Sequence, residues 1–367
     1  MVTDLIYRNF SPGAADARSS WEKFFTKPYL YPRDAEFSSL IRDVSVGLQE
    51  FCQTDASVLL LSTAGTGAVE CAIAALPGDT KAVVIHNGYF GERLFDVARY
   101  HLRNVSAFEL PFGEPFSIIH SDKFIKFANG QNADVLICTH LETSSGVLND
   151  VALLGDVGKS VKAITIVDGI SSIGSVECRL KDWGINCFIA STYKSLLCPP
   201  GLSFIVADSR FIAKAHRKWS YFFDMERLIS VSMKSQYLWS PNPLALHCLK
   251  QVLNDINKEG QDEYFGKLQE KALNFRNKIS QGGLKIFGNP AFLSPCFTIL
   301  QLADNNASNW LSFLKENYGI VIGKGLGNDP EKYLRIGHYP NIAAEDFDFL
   351  ADALLTVYRE LKGNIRA

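Results

Sequence analysis

Six short apolar runs recur along the first two-thirds of this chain, and they constrain its fold more than any other feature. They are SVLLLS (57–62), KAVVIH (81–86), ADVLICTH (133–140), AITIVDG (163–169), NCFIAS (186–191) and LSFIVAD (202–208). Runs of this length, rich in β-branched residues and without polar alternation, read as strands buried on both faces. Helical patterns such as GAVECAIAAL and GERLFDVARYHL lie between them. Strands alternating with helices predict an α/β domain built on a mostly parallel sheet. The sequence shows no internal repeat and no low-complexity segment.

From about Pro243 the texture changes. PLALHCLKQVLNDINKEG reads as a helix start, and QDEYFGKLQEKALNFRNKIS as a second amphipathic helix ending before Gly282-Gly283. Strand-like FLSPCFTILQL, a helix near NWLSFLKENYG, the strand YLRIG and a final helix over 344–361 complete a smaller α+β domain. The expected organisation is an arm over 1–20, a large domain over 21–243 and a small domain over 244–367. The chain has 367 residues, enough for two cores, and a net charge of -2, which leaves no electrostatic footprint for nucleic acid or an anionic membrane. No stretch is long and apolar enough for a membrane span, and the N-terminus lacks a signal-peptide pattern. Eight scattered cysteines without a CxxC pair predict reduced core thiols, no disulfide framework, no metal site and a cytoplasmic location.

Three local features carry chemistry. LLLSTAGTGAVECAIAAL is a strand-to-helix turn whose free N–H groups suit a phosphate, although a plain tight turn has the same composition. It is no P-loop, because no lysine follows the glycines, and it lacks the GxGxxG spacing. Asp168 closes the run AITIVDG, where strand carboxyl ends face a ligand crevice; its other reading is a helix cap. Lys194 follows the run NCFIAS inside STYKSLLCPPG, framed by Tyr193, Leu196, Leu197 and two prolines. Desolvation in such a frame lowers a lysine's pKa and makes it an amine nucleophile, whereas a solvated turn lysine is the plainer alternative. Together, a phosphate turn, an acid and a framed lysine supply what pyridoxal phosphate chemistry requires.

The chain resembles the class V, fold-type I aminotransferases, in the branch of alanine–glyoxylate and 2-aminoethylphosphonate–pyruvate transaminases. The likeness runs through RDAEFSSLIRDV, TAGTGAVE, NGYFGER, THLETSSGVLND, VDGISSIG, STYKSLLCPPGLSFI, QYLWSPNPLAL and YLRIGH. It implies a large domain with a mostly parallel seven-stranded sheet, a smaller C-terminal α+β domain and pyridoxal 5′-phosphate as cofactor. Lys194 then matches the Schiff-base lysine, and Asp168 the partner of the pyridine nitrogen. Ala64, Gly65 and Thr66 fall on the phosphate turn, and Phe90 on the ring-stacking position. Thr143 matches a hydroxyl near the phenolate oxygen. Tyr237 and Ser240 match residues that reach the neighbouring subunit's phosphate, which implies a homodimer with shared sites. Arg335 matches the arginine that grips a substrate carboxylate. A small amino donor and a 2-oxo acid are the implied substrates.

The chain departs from the family pattern near the site. Ala64 lacks a hydroxyl often found there, leaving Thr66, Thr192 and Ser240 to compensate. Phe90 replaces the commoner Trp or Tyr, Tyr193 replaces Gln or Asn, and SPGA replaces an N-terminal Pro-Gly-Pro. PRDAEF and LETSSGVLN resemble the aminoethylphosphonate branch, while CPPGLSF resembles the alanine–glyoxylate branch. Two other classes compete with a transaminase: a pyridoxal phosphate lyase or desulfurase on the same fold, and a catalytically silent cofactor-binding regulator.

Overall fold

The computed structural model describes residues 7–27 and 30–364. Residues 1–6 of the expected arm, and 365–367 of the expected small domain, lie outside that range. The larger unit is built on seven strands: β1 (Ser57–Leu61), β2 (Lys81–His86), β3 (Asn104–Glu109), β4 (Val135–Thr139), β5 (Ile164–Asp168), β6 (Cys187–Ser191) and β7 (Ser203–Ala207). Their order is β1-β7-β6-β5-β4-β2-β3. All neighbours are parallel except β7, which runs antiparallel to both β1 and β6.

Alternate residues of every strand except β3 enter two different cores, which is why those strands read as continuous apolar runs. Val58 and Leu60 of β1 face one core, and Leu59 and Leu61 face the other. The first core is closed by α1 (Arg18–Phe25), through Phe24, and by α2 (Ala35–Phe51), through Phe37, Val44 and Leu48. The second is closed by α3 (Gly65–Ala74), with Val69 and Ile73, and by α4 (Tyr89–His101), with Leu94 and Ala98. Strand β3 is not evident in the sequence because NVSAFE is polar and only Phe108 is buried. It is an edge strand with little core to fill. Helix α5 (Pro243–Glu259) buries Leu246, Leu249 and Leu253 in the same core as α2, so the residues expected to open the small domain pack on the large sheet.

Helix α6 (Gln261–Gln281) leads into the smaller unit. There β8 (Lys285–Ile286), β9 (Phe297–Gln301), β10 (Gly323–Lys324) and β11 (Tyr333–Gly337) form an antiparallel sheet in the order β8-β9-β11-β10. Leu334 and Ile336 of β11 face a core that includes Phe275 and Ile279 of α6 and Leu350 and Leu354 of α7 (Ala344–Asn364). The period of two puts Tyr333 and Arg335 on the opposite face of the strand.

The N-terminal segment ties the two units together. Arg8–Asn9 pairs in parallel with Ile320–Val321, and Phe10 is buried in the small unit's core. A few residues later, Ala15 N donates to Tyr193 O at 2.8 Å, beside Lys194. Among the described residues no helix is long and apolar enough to cross a membrane.

Candidate active site

Strands β5 and β6 are parallel neighbours, with Asp168 opposite Ile189, so the segments beyond them leave the sheet at one edge. Asp168 ends β5, and Lys194 lies three residues beyond β6. The turn holding Lys194 is closed by Leu197 N donating to Lys194 O (2.8 Å) and Cys198 N donating to Thr192 O (3.0 Å). That closure forces Leu197 into the left-handed region at φ 55°, an unfavourable place for leucine. The Trp21 indole of α1 donates to Leu197 O at 2.7 Å and holds the turn from outside. With Ala15 on Tyr193 O, the N-terminal segment thus braces the lysine on both sides.

Lys194 is 6% exposed. Its Nζ donates to Ser171 Oγ at 2.6 Å, and Ser171 Oγ lies 2.8 Å from Thr143 Oγ1. The Phe90 and Phe297 rings stand 5.7 and 5.8 Å from the amine. Desolvation lowers the Lys194 pKa to about 8, opposed chiefly by the Asp168 carboxylate and reinforced by Arg93 and Arg335. The buried Asp168 carboxyl is pushed up by desolvation. The Ile170 N–H (2.9 Å), Arg93 and Lys194 pull it back towards the ionised form. A buried acid and a buried amine whose pKa is lowered to about 8, at one sheet edge, are unlike a helix cap and a solvated turn lysine.

At the end of β1, Ala64 caps α3 without a side-chain hydrogen bond, and the helix's first turn holds no acid. Ala64 and Thr66 are exposed there, and Gly65 is buried. A Cβ on Gly65 would stand 2.5 Å from Ile170 Cδ1, so only glycine lets this turn approach the residues after Asp168. The helix N-terminus is therefore an uncapped, positive cradle beside the segment that follows Asp168.

Phe90 is positioned by an acid that no sequence motif singled out. Glu142 is fully buried, and its carboxylate accepts from Phe90 N (3.1 Å), Gly91 N (2.9 Å), Ser144 N (3.0 Å) and Ser144 Oγ (2.5 Å). Burial raises its pKa, and these donors oppose the rise. It serves as the N-cap that α4 does not draw from its own residues. A Cβ on Gly88 would stand 2.6 Å from Glu142 Cγ, which accounts for glycine in NGYF. The Arg93 guanidinium lies over the Phe90 ring, 4.6 Å from its centroid.

The remaining residues expected at the site are placed less uniformly. Thr143 joins the Lys194–Ser171 cluster. The Thr192 hydroxyl donates to Leu202 O at 3.0 Å, so its hydrogen is directed at the backbone. Tyr237 and Ser240 gather at Ser62 of the same chain, just before the α3 turn. Ser62 Oγ donates to Ser240 O (2.7 Å) and lies 3.1 Å from the Tyr237 hydroxyl. Burial raises the Tyr237 pKa to about 12. Arg335 is half-buried, and its Nε donates to Lys324 O at 2.7 Å. Neither Nη has a hydrogen-bond partner among the described residues. Its pKa falls to about 10 through desolvation, so it stays charged at neutral pH.

Glu142, Ser171, Arg93 and Phe297 are neighbours of Lys194 or Phe90 that the sequence does not single out. Glu142 had a usable signal, since it follows the run VLICTHL as Asp168 follows ITIV. Phe297 comes from β9, more than a hundred residues from Lys194, and no local pattern announces it.

A family model described as aminotransferase class-V matches residues 31–327. The chain is 27% identical to the L-aspartate–glyoxylate aminotransferase of Paracoccus denitrificans, over 90% of this chain and 85% of that protein. It is 29% identical to the soluble hydrogenase 42 kDa subunit of Anabaena cylindrica, over 90% and 87%. The solved alanine–glyoxylate aminotransferase of Nostoc sp. superposes with a TM-score of 0.90 at 24% identity, over 98% of this chain and 97% of that one. The buried lysine and acid at one sheet edge, the uncapped helix turn and these likenesses agree: the chain belongs to the class-V aminotransferases.

Proposed function

We propose that this aminotransferase uses pyridoxal 5′-phosphate to move an amino group from a small amine or amino acid to a 2-oxo acid such as pyruvate or glyoxylate. We further propose that it acts as a cytoplasmic homodimer. The observation that carries the reading is the buried Lys194 amine, lowered to about 8, at the sheet edge shared with Asp168 and facing the aromatic ring of Phe90. The donor set fits the cofactor. The uncapped α3 turn at Ala64, Gly65 and Thr66 would take its phosphate, Asp168 its pyridine nitrogen and Phe90 its ring face, and Thr143 lies beside Lys194 as a hydroxyl donor. When bound, the cofactor supplies an electron sink for the carbon that loses its proton. Lys194 Nζ, with a pKa near working pH, removes the proton from the donor's α-carbon and later returns one. Asp168 would favour a protonated ring nitrogen, and the Arg335 fork would orient the substrate carboxylate.

The names of the relatives favour glyoxylate as acceptor. The desulfurase reading lacks a nucleophile: all eight cysteines are buried, and burial raises the Cys198 thiol well above its ordinary pKa. A screen of amino donors against glyoxylate and pyruvate tests the function, with both half-reactions repeated on Arg335→Ala and Arg335→Lys. Losing a bidentate charge-assisted pair costs about 2–5 kcal/mol, roughly 30- to several-thousand-fold in kcat/KM. Lysine should restore little of it. No turnover with any donor, or unchanged rates in Arg335→Ala, would count against the assignment. For the shared dimer, a Lys194→Ala subunit mixed with one altered at Tyr237 and Ser240 should recover some activity. Phosphate contacts made wholly within one chain would give none.

A further inference from the structure

Lys194 must exist for part of any such cycle as a free amine that gains and loses a proton. Its surroundings determine where that amine rests. Asp168, Arg93 of α4, Arg335 of β11 and Cys296, just before β9, are the charged or titratable groups that act on it. None of the four hydrogen-bonds to Nζ among the described residues. The one polar atom in contact is Ser171 Oγ, at 2.6 Å. Ser171 is itself buried and ordered from two sides: Thr143 Oγ1 is 2.8 Å from its hydroxyl, and the Cys296 thiol donates to its carbonyl at 3.4 Å.

We propose that Ser171 is a catalytic residue whose hydroxyl is the resting seat of the free Lys194 amine, with Thr143 fixing the direction of that hydroxyl. The inference rests on the reading of Lys194 as the cofactor lysine and goes beyond it in assigning Ser171. The chemistry favours a hydroxyl over a carboxylate at this place. A carboxylate accepts only, and would hold the amine protonated and fixed. A hydroxyl accepts from the ammonium and donates to the neutral amine, so Lys194 keeps its partner through both protonation states. Thr143 can exchange donor and acceptor roles with Ser171 in the same way, which keeps the hydroxyl satisfied in both. Phe90 and Phe297 leave the amine little other polar contact, so this single partner carries much of its orientation.

The test uses the full-length protein, both cofactor-free and loaded with pyridoxamine 5′-phosphate, which leaves Lys194 free. The rate of Lys194 acetylation by acetic anhydride is followed against pH by peptide mass spectrometry. In Ser171→Ala the buried ammonium loses its acceptor, so the labelling midpoint should fall by about one pH unit, tenfold in proton affinity. The proton-transfer half-reaction should slow by about tenfold with substrate KM unchanged. Ser171→Thr, which keeps the hydroxyl, should restore both the midpoint and the rate. Borohydride reduction of Ser171→Ala loaded instead with pyridoxal 5′-phosphate should still fix the cofactor on Lys194, a result that depends only on the parent reading. An unchanged midpoint in Ser171→Ala, with the cofactor still fixed on Lys194, overturns the role of Ser171 alone. Loss of fixation in wild type overturns the parent reading instead.

Discussion

Glu142 offers the sharpest structural test of how the site is held. Its buried carboxylate receives three backbone N–H groups and one hydroxyl, from two segments that are not adjacent in sequence. In Glu142→Gln one oxygen remains. The best orientation keeps that oxygen on Phe90 N and Gly91 N and turns the amide NH2 towards Ser144, whose hydroxyl can rotate to accept. Ser144 N is then left without a partner. One orphaned N–H costs about 1–3 kcal/mol, and the two surviving bonds weaken from charge-assisted to neutral. Relief from burying a charge offsets part of this. The net expectation is a loss of about 2 kcal/mol, seen as a fall of about 5 °C in Tm. Glu142→Ala removes every acceptor and opens a cavity, and should lose about twice as much. Because Phe90 N and Gly91 N start α4, cofactor affinity should fall with stability in both variants, measured by calorimetric titration beside thermal melts. If Glu142→Gln matched wild type in Tm and cofactor affinity, the carboxylate would not be what pins α4 to the site.

The brace around the lysine turn gives a second expectation. Trp21→Phe removes the donor to Leu197 O, a loss of about 1 kcal/mol, and releases a strained left-handed leucine. Cofactor binding should weaken by about fivefold with the fold retained, whereas unchanged affinity would make α1 a bystander. The low Lys194 pKa also sets a pH dependence. Because the folded value is about 8 against an ordinary 10.5, the folded cofactor-free protein favours the neutral amine. The corresponding stability is present above 10.5 and is lost as pH falls through about 8. Lys194→Met should therefore gain on wild type by up to about 3 kcal/mol between those limits in urea unfolding. A difference that stays flat with pH would mean that the amine is not desolvated.

The buried parallel strands were legible because both faces of the sheet are covered, which leaves unbroken apolar runs. Strand β3 was not, since an edge strand needs no such run. Asp168 and Lys194 stood out as ionisable residues in apolar surroundings, and the structure brings them to one edge of the sheet. The residues that tune them come from places that leave no trace in local pattern. Phe297 arrives from the small unit, and Trp21 from a helix that straddles the expected boundary between the arm and the large domain. Thr192 shows the limit of a motif match: the hydroxyl is in the right segment, but Leu202 O takes its hydrogen. Ser171 lies within the VDGISS stretch, yet only the folded turn reveals which of its two serines meets the amine.

Everything proposed for the site depends on Lys194 being the residue that holds the cofactor. Reducing the pyridoxal phosphate-loaded protein with borohydride and mapping its peptides by mass tests this directly. One cofactor-derived mass per chain is expected, on the peptide containing Lys194, and none on that peptide in Lys194→Ala. Fixation on another lysine, or equal labelling and normal turnover in Lys194→Ala, would contradict it.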